Sequence, residues 1–243
     1  MLKKNLKIFV IALFSMISLF GFSVESEFLA IGNVKIVRPE PLVIKREDLN
    51  LTIEKNGEVK VESLYTFENI GKYNIKSTFM FWIDQNVLYN PENKSTNIKG
   101  KYIKNVKFFS NYEKSKNSRA VINFDEKIYE SQTIGNIQRD WYAISKTIPS
   151  DERGQLGVYY NLINTNFENK KELVFSFDLV NNFYNKNFVE ILYVNIYNKS
   201  DNEIENKTNK NYEFNDVTGK NKKHYELLAG NVNLDGKMII KFK

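Results

Sequence analysis

The run LNLTIEKNGEVKVESLYTFEN, residues 49–69, constrains this chain more than any other feature. Leu49, Leu51 and Ile53 alternate with Asn50, Thr52 and Glu54. After Lys55-Asn56-Gly57 the alternation resumes. Val59, Val61, Ser63, Tyr65 and Phe67 share one parity; Glu58, Lys60, Glu62, Thr66 and Glu68 share the other. Period two puts each set on its own face of a strand, one dry and one wet. Asn-Gly predicts a two-residue type I′ turn, whose positive φ values Gly and Asn tolerate. With Ile75, Phe79, Phe81 and Ile83 beyond the Asn69-Ile70-Gly71-Lys72 turn, residues 42–83 read as a three-stranded meander.

Further short strands follow at Val106–Phe109, Ala120–Phe124, Trp141–Ile148, Leu156–Ile163 and Leu173–Val180, with Pro149–Gly154 as a turn. Phe188–Tyr197 (FVEILYVNIY) is apolar on both parities and reads as a central strand buried on both faces. The polar stretch 199–223 reads as a loop or hairpin excursion. Asp235-Gly236 repeats the type I′ signal before a last strand. No stretch beyond the N-terminus carries helical periodicity. The expectation is an all-β antiparallel sandwich, immunoglobulin-like or related, of roughly eight to eleven strands, preceded by an N-terminal signal helix.

That helix is the second strong signal. Lys3, Lys4 and Lys7 precede the apolar run Ile8–Phe22, which has the length of a signal-peptide core and is short for a membrane span. Cleavage is expected after Ser23, or as late as Ser26. This leaves one β-rich domain over 24–243 with no transmembrane anchor, in an extracytoplasmic place: periplasm, cell surface or medium. The 243-residue chain has no Cys, so disulfides, thiol nucleophiles and cysteine–zinc sites are excluded. Its stability rests on packing, for which 42% hydrophobic and 14% aromatic residues suffice. The formal charge of +6 includes the three signal lysines; without them 32 basic residues face 29 acidic ones. The two signs are interspersed, which argues against nucleic acid as a partner. Charged outward positions such as Glu58, Lys60 and Glu62 argue against a lipid-facing barrel wall.

The order of features also resembles a family of exported bacterial β-rich proteins, a domain of unknown function. The likeness runs through Glu47-Asp48-Leu49, the hairpin at Asn56-Gly57, Val61–Asn69 (VESLYTFEN) and Phe79–Ile83 (FMFWI), about a quarter of the chain. It implies an extracytoplasmic β fold and no catalytic residues.

Catalytic constellations are missing from the sequence. His224 stands alone in KNKKHYELL, without a G-x-S-x-G elbow, and reads as a solvated loop residue. The acidic pairs Glu47-Asp48, Asp125-Glu126 and Asp151-Glu152 lie at strand ends and turns. No calcium-loop motif occurs, and no metal or cofactor is expected. Trp82, Trp141, Tyr142, Tyr159 and Tyr160 offer aromatic surface for a ligand, although each also suits a core. Trp141 and Tyr142 are the candidate ligand-binding residues. Adjacent strand residues face opposite ways, so one of the two is exposed or lies under a second layer. The sequence therefore predicts a non-catalytic envelope or secreted module with a binding or structural role, its partner an envelope protein or a glycan. A carboxylate-dependent hydrolase of surface polysaccharide and a sheet-edge adhesion or assembly subunit are the alternatives.

Overall fold

The computed structural model describes residues 26–32, 34–36, 41–87, 102–112, 120–123, 130–151, 153–176, 188–209, 213–219, 223–233 and 237–243. The signal segment, Asp125-Glu126 and the Asp235-Gly236 turn lie outside these residues. The described strands are β1 (Ser26–Gly32), β2 (Lys35–Ile36), β3 (Leu42–Ile53), β4 (Val59–Asn69), β5 (Ile75–Val87), β6 (Ile103–Tyr112), β7 (Ala120–Asn123) and β8 (Glu130–Ile134). They continue with β9 (Ile137–Ile148), β10 (Arg153–Leu162), β11 (Glu172–Ser176), β12 (Phe188–Asn198), β13 (Ile204–Asn209), β14 (Asn215–Asp216), β15 (Lys223–Asn233) and β16 (Lys237–Phe242). One helical turn, α1 (Phe167–Lys170), interrupts them.

The described strands form two sheets. The first runs β13-β16-β11-β1-β5-β9-β8, with β2 on β5; the second runs β14-β15-β12-β3-β4-β10-β6-β7. All pairings are antiparallel except β1 with β11 and β3 with β12. Their inner faces meet as a sandwich. Phe81 of the first sheet stacks on its neighbour Tyr142 at 5.1 Å and on Tyr160 of the second sheet at 4.8 Å. Phe79 meets Phe67 across the same gap at 6.2 Å. Leu49, Leu51, Ile53, Val59, Val61, Tyr65 and Phe67 join this one buried cluster, as their parity predicts. Each such side chain contributes on the order of 1.5–3 kcal/mol by leaving water.

The hairpin at Asn56-Gly57 forms, but not with a type I′ turn. The Gly57 amide donates to the Glu54 carbonyl at 3.2 Å, and the Glu54 amide to the Glu58 carbonyl at 2.9 Å. Gly57 alone of the loop has positive φ, at 78°. This is a three-residue loop, a type I turn closed by a left-handed glycine. The Asn56 side chain, with its own φ negative, accepts from the Glu58 amide instead.

The three-stranded meander does not form. β5 leaves the second sheet and becomes the centre of the first. Asn69, fully buried, holds the corner. Its Nδ2 donates to the carbonyls of Tyr73, Ile148 and Pro149 at 3.1, 3.2 and 2.9 Å, and its Oδ1 accepts from the Gly71 amide at 2.8 Å. The β4–β5 crossing is thereby tied to the β9–β10 crossing beside it.

Sixteen described strands exceed the expected eight to eleven. The surplus is in β1, in the short strands β2 and β8, and in β13 and β14 of the polar stretch 199–223. That stretch is not simply a loop. β13 pairs with β16 at the rim of the first sheet, and β14 with β15 at the rim of the second. Rim strands have one neighbour and much solvent, so polar sequences suit them.

Candidate functional site

Trp141 and Tyr142 face opposite ways, and both are buried, at 8% and 1% exposure. Tyr142 belongs to the core between the sheets. Trp141 lies on the outer face of the first sheet, in a second cluster with Met80, Trp82 and Ala143. The Arg139 guanidinium covers this cluster, 5.0 Å from the Trp82 ring and 5.9 Å from the Trp141 ring. It is held there by both Asp84 oxygens, each at 2.6 Å. Trp82 lies so close over Gly32 that a Cβ at that glycine would sit 2.0 Å from the ring. Packing accounts for these indoles, and neither Trp141 nor Tyr142 offers its ring at the surface.

Of the five aromatics nominated by the sequence, Tyr159 alone is half-exposed; Trp82 and Tyr160 are buried with the other two. It faces outward from the second sheet, which leads to the arrangement the sequence did not single out. β12 lies between β15 and β3, as a central strand should. Its even residues Leu192, Val194 and Ile196 are fully buried, yet Ile191 is 40% exposed and Tyr193 and Tyr197 are half-buried. The expectation of burial on both faces fails because no described element packs over the outer one.

Register builds a continuous row across this face. Glu226 of β15 pairs with Asn195, Asn195 with Asn50, Asn50 with Glu62, and Glu62 with Tyr159. The adjacent row runs from Leu228 through Tyr193 and Asp48 to Leu64. Between the rows lies a depression of about 300 Å³, lined by Asp48, Asn50, Glu62, Leu64, Tyr159 and Tyr193, with Asn195 beside them.

A directed hydrogen-bond ladder organises it. His224 of β15 is not a solvated loop residue. Its ring stacks on Tyr197 at 4.3 Å, and its Nε2 faces Asn195 Oδ1 at 2.9 Å and Glu226 Oε1 at 3.4 Å. Both partners are acceptors, so Nε2 carries the proton. The Asn195 Nδ2 then donates to Asn50 Oδ1 at 2.9 Å. The Asn50 amide nitrogen is what remains for a ligand. Partial burial, with a hydrogen bond to Glu226, raises the pKa of Tyr193, so it stays a neutral phenol. Arg46 forks both oxygens of Asp48 at 2.8 and 2.6 Å and lies 5.8 Å from the Tyr193 ring.

Other acidic groups are buried in the sandwich or stand apart from this face. Glu47, the inward member of its acidic pair, is buried and accepts from the Tyr65 hydroxyl at 3.0 Å. Asp151 is exposed at the turn before β10. Asp140 is buried and accepts from Gln85, Gln138 and Ser131 at 2.9, 2.9 and 2.7 Å. Among the described residues no three His, Asp or Glu side chains converge as metal ligands would. Period-two reading of β12 carries the signal: a central strand whose odd positions 193, 195 and 197 hold Tyr, Asn and Tyr rather than aliphatic residues.

No protein-family model and no curated protein sequence matches the chain. Solved structures do. A Legionella pneumophila protein whose proposed role is nutrient binding aligns with a TM-score of 0.57 at 10% identity, over 90% of this chain and 71% of that one. A Parabacteroides distasonis protein proposed to be a protease aligns at 0.45 and 7% identity, over 83% of this chain and 40% of that one. An M1 zinc metallopeptidase from Deinococcus radiodurans aligns at 0.37 and 9% identity, over 83% and 42%. At such identities the first likeness extends to the fold alone, and the other two carry no argument.

Proposed function

We propose that the chain is an exported, non-catalytic binding module of the cell envelope or its surroundings, and that the outer face of the second sheet is its contact surface. The observation that carries this is the exposed odd parity of β12. A central strand presents Ile191, Tyr193 and Tyr197 to solvent beside a polar depression. Surface tyrosines surrounded by directed polar groups are the usual composition of recognition sites. The basic and apolar N-terminus supports export. The fold shared with a protein of proposed nutrient-binding role fits a binding module.

The test is retention of the mature chain, residues 24–243, on purified envelopes of the source cell. Retention lost in Tyr193→Ala, with an unchanged melting temperature, supports the reading. Retention unaffected by that change rejects the face.

One observation favours hydrolysis as a second reading: Asp48 and Glu62 line the depression together with two tyrosines. Against it, Arg46 already occupies both Asp48 oxygens. Polysaccharide cleavage that disappears in Glu62→Gln would establish it.

A further inference from the structure

Resting on that reading, we infer that the ligand of this face is a neutral oligosaccharide. Four features of the depression point the same way.

The first is chemistry. A sugar ring has apolar C–H faces that pack on tyrosine rings, and hydroxyls that donate and accept together. Tyr159 and Tyr193 supply the rings. Glu62 supplies an acceptor, and the Asn50 amide nitrogen supplies a donor, because Asn195 occupies the Asn50 carbonyl. A carboxylate beside an amide donor suits adjacent hydroxyls on one ring.

The second is extent. Tyr193 on β12 and Tyr159 on β10 are separated by β3 and β4. Three strand spacings make about 14 Å, which suits a short chain of sugars better than one ring.

The third is charge. Asp48, Glu62 and Glu226 stand around the site; of the cations beside it, Arg46 is committed to Asp48 and Lys107 lies at the far end, paired across the sheet with Tyr159. An anionic polymer would meet carboxylates here.

The fourth excludes an added peptide strand. β12, β3, β4 and β10 each have hydrogen-bonded neighbours on both sides. Their backbone groups are used, so no ladder is open to an extended peptide at this place.

The experiment titrates the mature chain with neutral hexasaccharides (cello-, malto-, xylo- and N-acetylchito-oligomers), with oligogalacturonate as the anionic arm and an unstructured peptide as the third. Calorimetry gives affinity, and ¹⁵N spectra follow side-chain amides. At least one neutral oligomer is expected to bind, shifting the Asn50 and Asn195 amide signals. Tyr193→Ala and Asn50→Ala, with native melting, are each expected to weaken it tenfold or more. Retention on envelopes should also survive protease treatment of those envelopes.

The inference is overturned if no neutral oligomer binds at millimolar concentration, or if only the anionic or the peptide arm binds. If envelope retention still depends on Tyr193 in that case, the saccharide is wrong and the binding face stands. If Tyr193→Ala leaves retention intact, the face itself is wrong.

Discussion

The Tyr65 hydroxyl donates to the Glu47 carboxylate at 3.0 Å, and both side chains are sealed between the sheets. Burial, with the adjacent Glu47 charge, pushes the Tyr65 pKa well up; burial and Glu47 also raise that of Tyr160. The folded state therefore keeps two protons that the unfolded chain releases above about pH 10. Their contribution is complete below that pH and is lost above it, by up to about 1.4 kcal/mol per pH unit for each tyrosine. Denaturant titrations at pH 9, 10 and 11 should show the decline, and a shallower one in Tyr65→Phe. At pH 7 the same variant is expected to be about 1–3 kcal/mol less stable, since a buried acceptor loses its donor.

Asn69 closes a corner with four hydrogen bonds from one side chain. Asn69→Ala strands several buried backbone groups and should cost about 2–4 kcal/mol. Asn69→Asp should be comparably damaging, since a carboxylate cannot donate to the carbonyls of Ile148 and Pro149. Equal stability of wild type and either variant in urea would contradict this account.

Gly32 and Trp82 form a pair in which one exists for the other. Gly32→Ala forces backbone and indole apart and should cost at least about 1–3 kcal/mol. In a Trp82→Ala background, itself about 3–5 kcal/mol less stable, the glycine change should cost little. A double-mutant cycle measures this coupling, and additive effects would refute it.

His224 acts through Asn195 on Asn50. His224→Ala removes the proton that fixes the Asn195 amide, so ligand affinity should fall several-fold with little change in global stability. His224→Gln, which can still donate to Asn195, should recover part of the affinity, measured by the same calorimetry. A merely packing role would show as lost stability without that rescue.

Much of the scaffold could be read from residue order. Leu49 to Phe67 fall on the faces their parity predicts, because one wet and one dry side leave a strand little choice. Which sheet a strand joins is another matter. β5 alternates as β4 does, and its departure depends on Asn69 meeting carbonyls nearly eighty residues away. Parity also cannot say whether an outer layer exists. Trp141 has one, made by Trp82 and Arg139; Tyr193 has none among the described residues. Both look alike in sequence. The lysines flanking His224 suggest solvent, whereas its register sets it opposite Tyr197.

The parallel seam between β3 and β12 sets a schedule for assembly. Leu49 lies beside Val194 and Ile53 beside Asn198, so the middle of the second sheet waits for residues made some 145 positions later. Until β12 arrives, the β3 edge of the β3–β4 hairpin is unpaired. Such distant pairing makes closure slow, and the waiting hairpin is a place where copies would stick together. Synthesis from the N-terminus passes through this interval each time, before the second sheet can close.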